Sequence, residues 1–313
     1  MHGRLREPVK PALLHLDDAL MQQGGLSARA ARDGLSLDCR DLGPALRLWS
    51  RPGPLEMLEG RIREGFPLDR RPLVTFLGSG DFHHVTPMLV RRACDAAGTG
   101  AVTVIHFDNH PDWVRFGAGL HCGSWVGEIA RDQRVARVFT VGVCSDDISE
   151  RGRRSADADL IREGLVEMFA YRAPADREGL ELFGRIWPTL TDLGLAAFAL
   201  RLAESIPTRA IYVTIDKDVL APEDAATNWD QGELSLYALK TLLGAVITGR
   251  TLIGADITGD WSPARYGGQG LDAWMKRAEA VMDQPWSRPG DGALRHNQAV
   301  NLHLLDWLSE LAT

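Results

Sequence analysis

Ala101-Val102-Thr103-Val104-Ile105-His106-Phe107-Asp108-Asn109-His110-Pro111-Asp112 runs from an apolar, β-rich segment straight into three potential metal ligands separated by single residues. Residues 101–107 have the length and side-chain content of a buried strand. In extended chain just past a strand, alternate residues point the same way, so Asp108, His110 and Asp112 can converge on one point.

The pattern recurs on both sides of this segment. Leu73-Val74-Thr75-Phe76-Leu77 is closed by Gly78-Ser79-Gly80, and a helix is expected from Thr86 to Ala97. A second helix is expected from Ser124 to Arg131, followed by a strand over Val138–Val143. Further strands are expected at Ala210–Ile215 and Leu252–Ala255, with helices at Leu234–Ile247, Leu271–Met282 and Ala299–Leu311. Nearly continuous β-rich runs alternating with amphipathic helices imply right-handed βαβ units. The expected fold class is α/β: a single-domain three-layer αβα sandwich with a mostly parallel, doubly wound sheet. No Pro/Gly/Ser-rich linker separates the regular regions, so residues 1–313 are read as one domain with a core over 71–285. The polar stretch 144–190 is read as a surface excursion. Residues 1–70 leave their role open, as an added edge strand or a subunit contact.

Ligand sites in open α/β sheets form beyond the carboxyl ends of the strands. Four strands here deliver chemistry to that edge: Asp81, His83 and His84 after the first, the Asp108 cluster after the second, Asp216-Lys217-Asp218 after Ile215, and Asp256 with Asp260 after Ala255. Asp216 and Asp218 repeat the i, i+2 spacing. So many carboxylates in one place would repel one another unless divalent cations neutralise them. An oxygen-rich set with a minority of imidazole and no thiolate suits Mn²⁺ better than Zn²⁺. Two cations about 3.5–4 Å apart can share a bridging water and lower its pKa towards neutrality. Each piece also has a plainer explanation, because Asp is common in turns and helix caps and histidines often satisfy structural roles.

Composition narrows the field. The chain has 313 residues, 45% of them hydrophobic, 25% charged, with net charge −7. An acidic surface argues against nucleic acid or membrane as a partner. Cys39, Cys94, Cys122 and Cys144 lack CxxC spacing and read as free thiols in a reducing compartment. No signal-peptide core and no run of about 20 apolar residues is present, so the expected location is the cytoplasm.

The motifs together resemble the ureohydrolases: arginase, agmatinase, formiminoglutamase and their relatives. Gly80-Asp81-Phe82-His83, Asp108-Asn109-His110-Pro111-Asp112 and Thr214-Ile215-Asp216-Lys217-Asp218 look like that family's GGDH, DAHxD and SxDxD motifs, in order, over roughly residues 73–285. The resemblance implies that His83, Asp108, His110, Asp112, Asp216 and Asp218 bind two Mn²⁺, with Ni²⁺ or Zn²⁺ as other divalent choices. It implies hydrolysis at a guanidinium or amidine carbon of a small molecule, and a homo-oligomer, trimer or hexamer. Asp112 and His121 are the expected catalytic residues, His121 being the counterpart of a proton-shuttling histidine; alternatively His121 is a helix-entry histidine bonded to backbone.

Departures from the family pattern bear on substrate. Where the family has a guanidinium-binding Glu, this chain has Thr258-Gly259-Asp260, which makes Asp260 the candidate carboxylate. Trp113, Trp125, Trp229 and Trp261 are candidate pocket walls, with Trp229 the expected substrate contact and Trp125 equally suited to core packing. Trp113-Val114-Arg115-Phe116 replaces the polar residues with which arginases hold an α-amino acid, so L-arginine is not the expected substrate. Two alternatives remain open at this stage: a mononuclear Zn²⁺ amide hydrolase of the deacetylase kind, and a metal-binding homologue without turnover.

Overall fold

The computed structural model describes residues 9–174, 178–267, 270–284 and 289–312. In chain order the strands are β1 Lys10–His15, β2 Leu35–Asp38, β3 Trp49–Ser50, β4 Leu73–Phe76, β5 Val102–Phe107, β6 Leu120–His121, β7 Val135–Val141, β8 Val166–Phe169, β9 Leu180–Leu182, β10 Arg185–Trp187, β11 Ala210–Asp216 and β12 Thr251–Thr258. The helices are α1 Gly24–Asp33, α2 Gly43–Leu46, α3 Pro52–Gly65, α4 Thr86–Ala97, α5 Trp125–Ala130, α6 Ala158–Arg162, α7 Leu190–Leu193, α8 Leu195–Ser205, α9 Leu236–Ile247, α10 Leu271–Asp283 and α11 Asp291–Ala312.

Eight strands form one parallel sheet in the order β2-β1-β4-β12-β11-β5-β7-β8. Side-chain alternation explains why it is covered on both faces. On β5, Val102 and Val104 join one core while Ile105 and Phe107 join the other; on β11, Tyr212 joins the first while Val213 and Ile215 join the second. The first core is closed by Leu58 and Ile62 of α3, Leu89 and Val90 of α4, and Val126 and Ile129 of α5. The second is closed by Phe198 of α8, Leu239, Leu242 and Val246 of α9, and Leu304 and Leu308 of α11. Each such buried side chain contributes about 1.5–3 kcal/mol from apolar burial. The expected three-layer αβα sandwich is therefore the observed fold, with the sheet wholly parallel.

Several elements differ from the sequence expectation for physical reasons. β12 continues past Ala255 because the buried Asp256 carboxylate is satisfied inside the sheet by the hydroxyls of Thr86 (3.1 Å), Thr214 (2.7 Å) and Tyr212 (2.8 Å). The stretch 144–190 is not only a surface excursion: it supplies the edge strand β8 and the antiparallel hairpin β9–β10. The carboxylate of Glu167 on β8 holds that hairpin through Arg185 (2.7 Å) and the Trp187 indole (2.8 Å). Within residues 1–70, β1 and β2 extend the sheet to its other edge, and β3 pairs with β6 in a short ribbon that matches Trp49 with His121. Among the described residues no helix is long and apolar enough to cross a membrane.

Candidate metal centre

The four strands singled out by their exits stand side by side as β4-β12-β11-β5 in the middle of the sheet. Adjacent parallel strands end at one edge, so residues 80–83, 108–112, 216–218 and 258–260 meet there. A cavity of about 510 Å³ opens at this edge. Its lining includes all six expected ligands and also Trp113, His121, Trp229 and Glu279.

His83 sits in a 3₁₀ turn, Gly80–Val85, entered through Ser79, whose hydroxyl accepts the Asp81 N–H. Its ring is fixed by a relay. The Thr214 hydroxyl donates to Asp256 (2.7 Å), so its oxygen accepts from His83 Nε2 (2.8 Å). That assigns the proton to Nε2 and leaves a lone pair on Nδ1. Among the described residues Nδ1 is buried without a hydrogen-bond partner, yet faces Asp108 Oδ2 at 3.1 Å, Asp112 Oδ2 at 3.3 Å and Asp216 Oδ2 at 3.6 Å. A lone pair aimed at three carboxylate oxygens is repulsive unless a proton or a metal cation lies between them.

His110 repeats the arrangement. Its Nε2 donates to Asp230 Oδ1 (2.9 Å), leaving Nδ1 against Asp218 Oδ2 (3.0 Å) and Asp108 Oδ1 (3.6 Å). Histidine–carboxylate relays of this kind orient metal-binding imidazoles. Asp108 thus presents one oxygen to each imidazole. Two groups of potential ligands result: His83, His106, Asp108 and Asp112, and Asp108, His110 and Asp218.

The electrostatics agree. Burial and the Asp108 charge push the Asp216 carboxyl up to about 7. Burial, with the Asp108 and Asp216 charges, raises Asp218 well above the carboxylate range, and burial with Asp108 raises Asp112. Burial alone would lower the His83 pKa, but the Asp108 and Asp112 carboxylates raise it well above its ordinary value. The centre has more negative charge than its protein partners neutralise, and its donors are oxygen-rich with two imidazole Nδ1 atoms facing the carboxylates. That set fits a pair of hard or borderline divalent cations.

Close approach at the centre demands glycine at two places. A Cβ on Gly80 would lie 2.6 Å from Asp216 Oδ2, and one on Gly259, where φ is +84°, would lie 2.3 Å from Asp216 Oδ1. Asp112 adopts φ +48°, a left-handed conformation uncommon for a non-glycine residue. The buried Trp125 indole donates to its Oδ2 at 2.5 Å, while the Trp125 ring packs on His83 and His106, each at 4.8 Å.

His84 belongs to neither ligand group; burial lowers its pKa to about 3, and among the described residues neither ring nitrogen has a hydrogen-bond partner. His121 lines the cavity: its Nδ1 accepts the Gly123 N–H (2.8 Å), and Nε2 bonds the Glu279 carboxylate. Trp229 lines the cavity beside His110, with its indole N–H on Asp81 (2.8 Å); Asp81 is buried against Arg47 Nε (2.6 Å). The expectation that Asp260 faces the substrate is corrected. Asp260 is 2% exposed, turned away from the cavity, and paired with the buried Lys217 ammonium and with Asn301 Nδ2 (3.0 Å). The short side chain neutralises the buried Lys217. Of the tryptophans, Trp113 and Trp229 line the cavity, while Trp125 is core. Arg115 turns outward to Asp157 (2.9 Å) and Asp159 (2.8 Å).

Three residues were not expected from sequence. His106 is buried on β5 with Nε2 on Asp108 Oδ2 (2.8 Å); its place two residues before Asp108 on the same strand face was the available signal. Asp230 and Glu279 come from a loop and from α10, with no strand before them to mark them.

The Arginase family model matches residues 36–263. A chain with this sheet and this cluster of histidine and aspartate at its edge, matched over that span, belongs to the arginase family. A Thermotoga maritima protein described as uncharacterized is 26% identical over 193 residues, which is 62% of this chain; the chain spans 60% of that relative's length. Formimidoylglutamase from Bacillus subtilis subsp. subtilis str. 168 superposes with a TM-score of 0.60 at 13% identity, covering 99% of this chain and 89% of that one. Arginase from Bacillus subtilis gives 0.57 at 12% identity, covering 96% and 98%. At these identities the likeness is one of fold.

Proposed function

We propose that this chain is a binuclear, Mn²⁺-dependent hydrolase that cleaves a C–N bond of a guanidino or amidino compound other than L-arginine. The observation that carries the reading is the pair of imidazoles, His83 and His110, whose Nδ1 atoms face opposite oxygens of one carboxylate, Asp108. His83, Asp108, Asp112 and Asp216 would hold one cation, and Asp108, His110, Asp216 and Asp218 the other. Bound there, the cations would supply water activated at neutral pH.

The chain's own groups supply the rest. His121 stands in the cavity wall with its tautomer set by the Gly123 N–H, placed to hand a proton to a leaving amine. Asp112, whose Oδ2 accepts from the Trp125 indole, is the second group proposed to exchange protons. Trp229, braced by Asp81, offers an aromatic face to a cationic substrate. The lining includes Asp146, Asp147, Asp230 and Glu279 but, among the described residues, no Lys or Arg. A substrate carboxylate would find no cationic partner there, which disfavours an α-amino acid. The second group around His110 favours two cations over the single Zn²⁺ of a deacetylase-like site. The reading extends to a single domain over 1–313, and to a cytoplasmic homo-oligomer, trimer or hexamer, consistent with four free cysteines.

The test is release of urea or ammonia from a panel of guanidino and amidino compounds by Mn²⁺-loaded protein. Wild type should turn over at least one compound, while Asp108→Ala and Asp218→Ala should lose activity by roughly a thousand-fold or more, together with metal. Equal activity in either variant contradicts the ligand assignment, and an inert wild type contradicts the enzymatic reading.

A further inference from the structure

We infer that Glu279, delivered by α10, is the carboxylate that binds the guanidinium or amidinium group of the substrate; this rests on the function proposed above. A planar cation of that kind is matched by a carboxylate through paired, charge-assisted hydrogen bonds. Most other carboxylates near the centre are already committed. Asp108, Asp112, Asp216 and Asp218 are the carboxylates proposed to hold the cations, and Asp230 is held by His110 and by the Asn109 amide (3.1 Å).

The exit of β12 has nothing to offer. Asp256 is sealed among three hydroxyls and Asp260 is paired with Lys217. No side chain can stand at Gly259, because a Cβ there would also lie 2.6 Å from the Lys217 backbone nitrogen.

Glu279 differs in keeping one carboxylate oxygen unengaged among the described residues. It lines the same cavity as the ligand groups and its side chain is 22% exposed. Its Oε1 takes the His121 hydrogen bond, and among the described residues Oε2 takes none. Its position is held by neighbours on α10. Lys276, one turn earlier, donates to Ala45 O (2.7 Å) and lies 4.7 Å over the ring of Trp49, the residue paired with His121 in the β3–β6 ribbon. Asp272, at the start of the helix, takes both Arg51 nitrogens at 2.6 and 2.8 Å. The helix is thereby fastened to the ribbon that carries His121, so Glu279 and His121 face the cavity as a unit. A substrate cation on Glu279 has its leaving nitrogen beside the imidazole. With Asp146 and Asp147 lining the same space, the class of substrate is a guanidino or amidino compound whose remainder carries a second positive charge.

The test uses guanidinium chloride as the probe, titrated calorimetrically into Mn²⁺-loaded wild type and Glu279→Gln. Gln is isosteric and its amide oxygen can still accept from His121, so the fold and the imidazole stay in place. Guanidinium should bind roughly ten-fold or more weakly to the variant, the size expected on losing a charge-assisted pair, with metal content unchanged. Equal affinity in both proteins, or no binding to wild type, overturns the inference. Failure of the broader reading is seen separately, as absence of turnover across the compound panel whatever the guanidinium affinities.

Discussion

At the scale of single residues, Thr214 decides which nitrogen of His83 is free. Its hydroxyl is donor to Asp256 and acceptor from Nε2 at once, so the Nδ1 lone pair can face only the carboxylates. Thr214→Val keeps the shape and removes the relay. Mn²⁺ affinity in a competition titration should fall about 10–100-fold, as for other partners that orient metal-binding histidines; unchanged affinity would remove the relay from the account. The candidate ligands were legible in sequence because i, i+2 spacing after a strand is a local pattern. Asp260 was misplaced because spacing could not show that the adjacent buried Lys217 would claim it. Glu279 and Asp230 were illegible because their approach depends on how a distant helix and loop pack.

At the scale of elements, the strand exits converge because β4, β12, β11 and β5 are neighbours, an order set by the crossovers and not by chain sequence. The apolar runs that form them were readable, since a strand buried on both faces admits little else. The end of β12 was not, because a carboxylate normally marks an exit and Asp256 is satisfied within the sheet. The edge strand β8 was masked by its polar flanks. Beside the sheet, Asp132 ties α4 to the turn after α5, accepting from Arg91 Nε at 2.9 Å and Arg134 Nε at 3.0 Å. The Arg134 hydrogen bond outweighs partial burial and holds its carboxyl below the usual range. Its stabilisation is therefore present above the unfolded carboxylate pKa and lost as the pH falls through the lower folded one. Both arginines are about one-third exposed, so screening keeps the effect near or below about 1 kcal/mol. Asp132→Asn should lower the urea midpoint at pH 7, and the deficit should shrink as the pH approaches 2. A deficit independent of pH would assign the effect to packing instead of charge.

At the scale of the whole molecule, the fold concentrates negative charge at one edge of a sheet whose two faces are otherwise apolar. The cost of gathering Asp108, Asp112, Asp216 and Asp218 in a buried space is tolerable only if cations share it, and cations that bind the folded state alone stabilise it by mass action. Among the described residues no Lys or Arg lines this cavity, so the ions of the centre and the substrate are both expected to be positively charged. The central claim is thus a stoichiometry, and elemental analysis of protein purified without chelator and reconstituted with Mn²⁺ measures it. The account predicts two Mn²⁺ per chain, with Asp218→Ala retaining at most one; a single tightly bound ion in the wild type, or none, would contradict it.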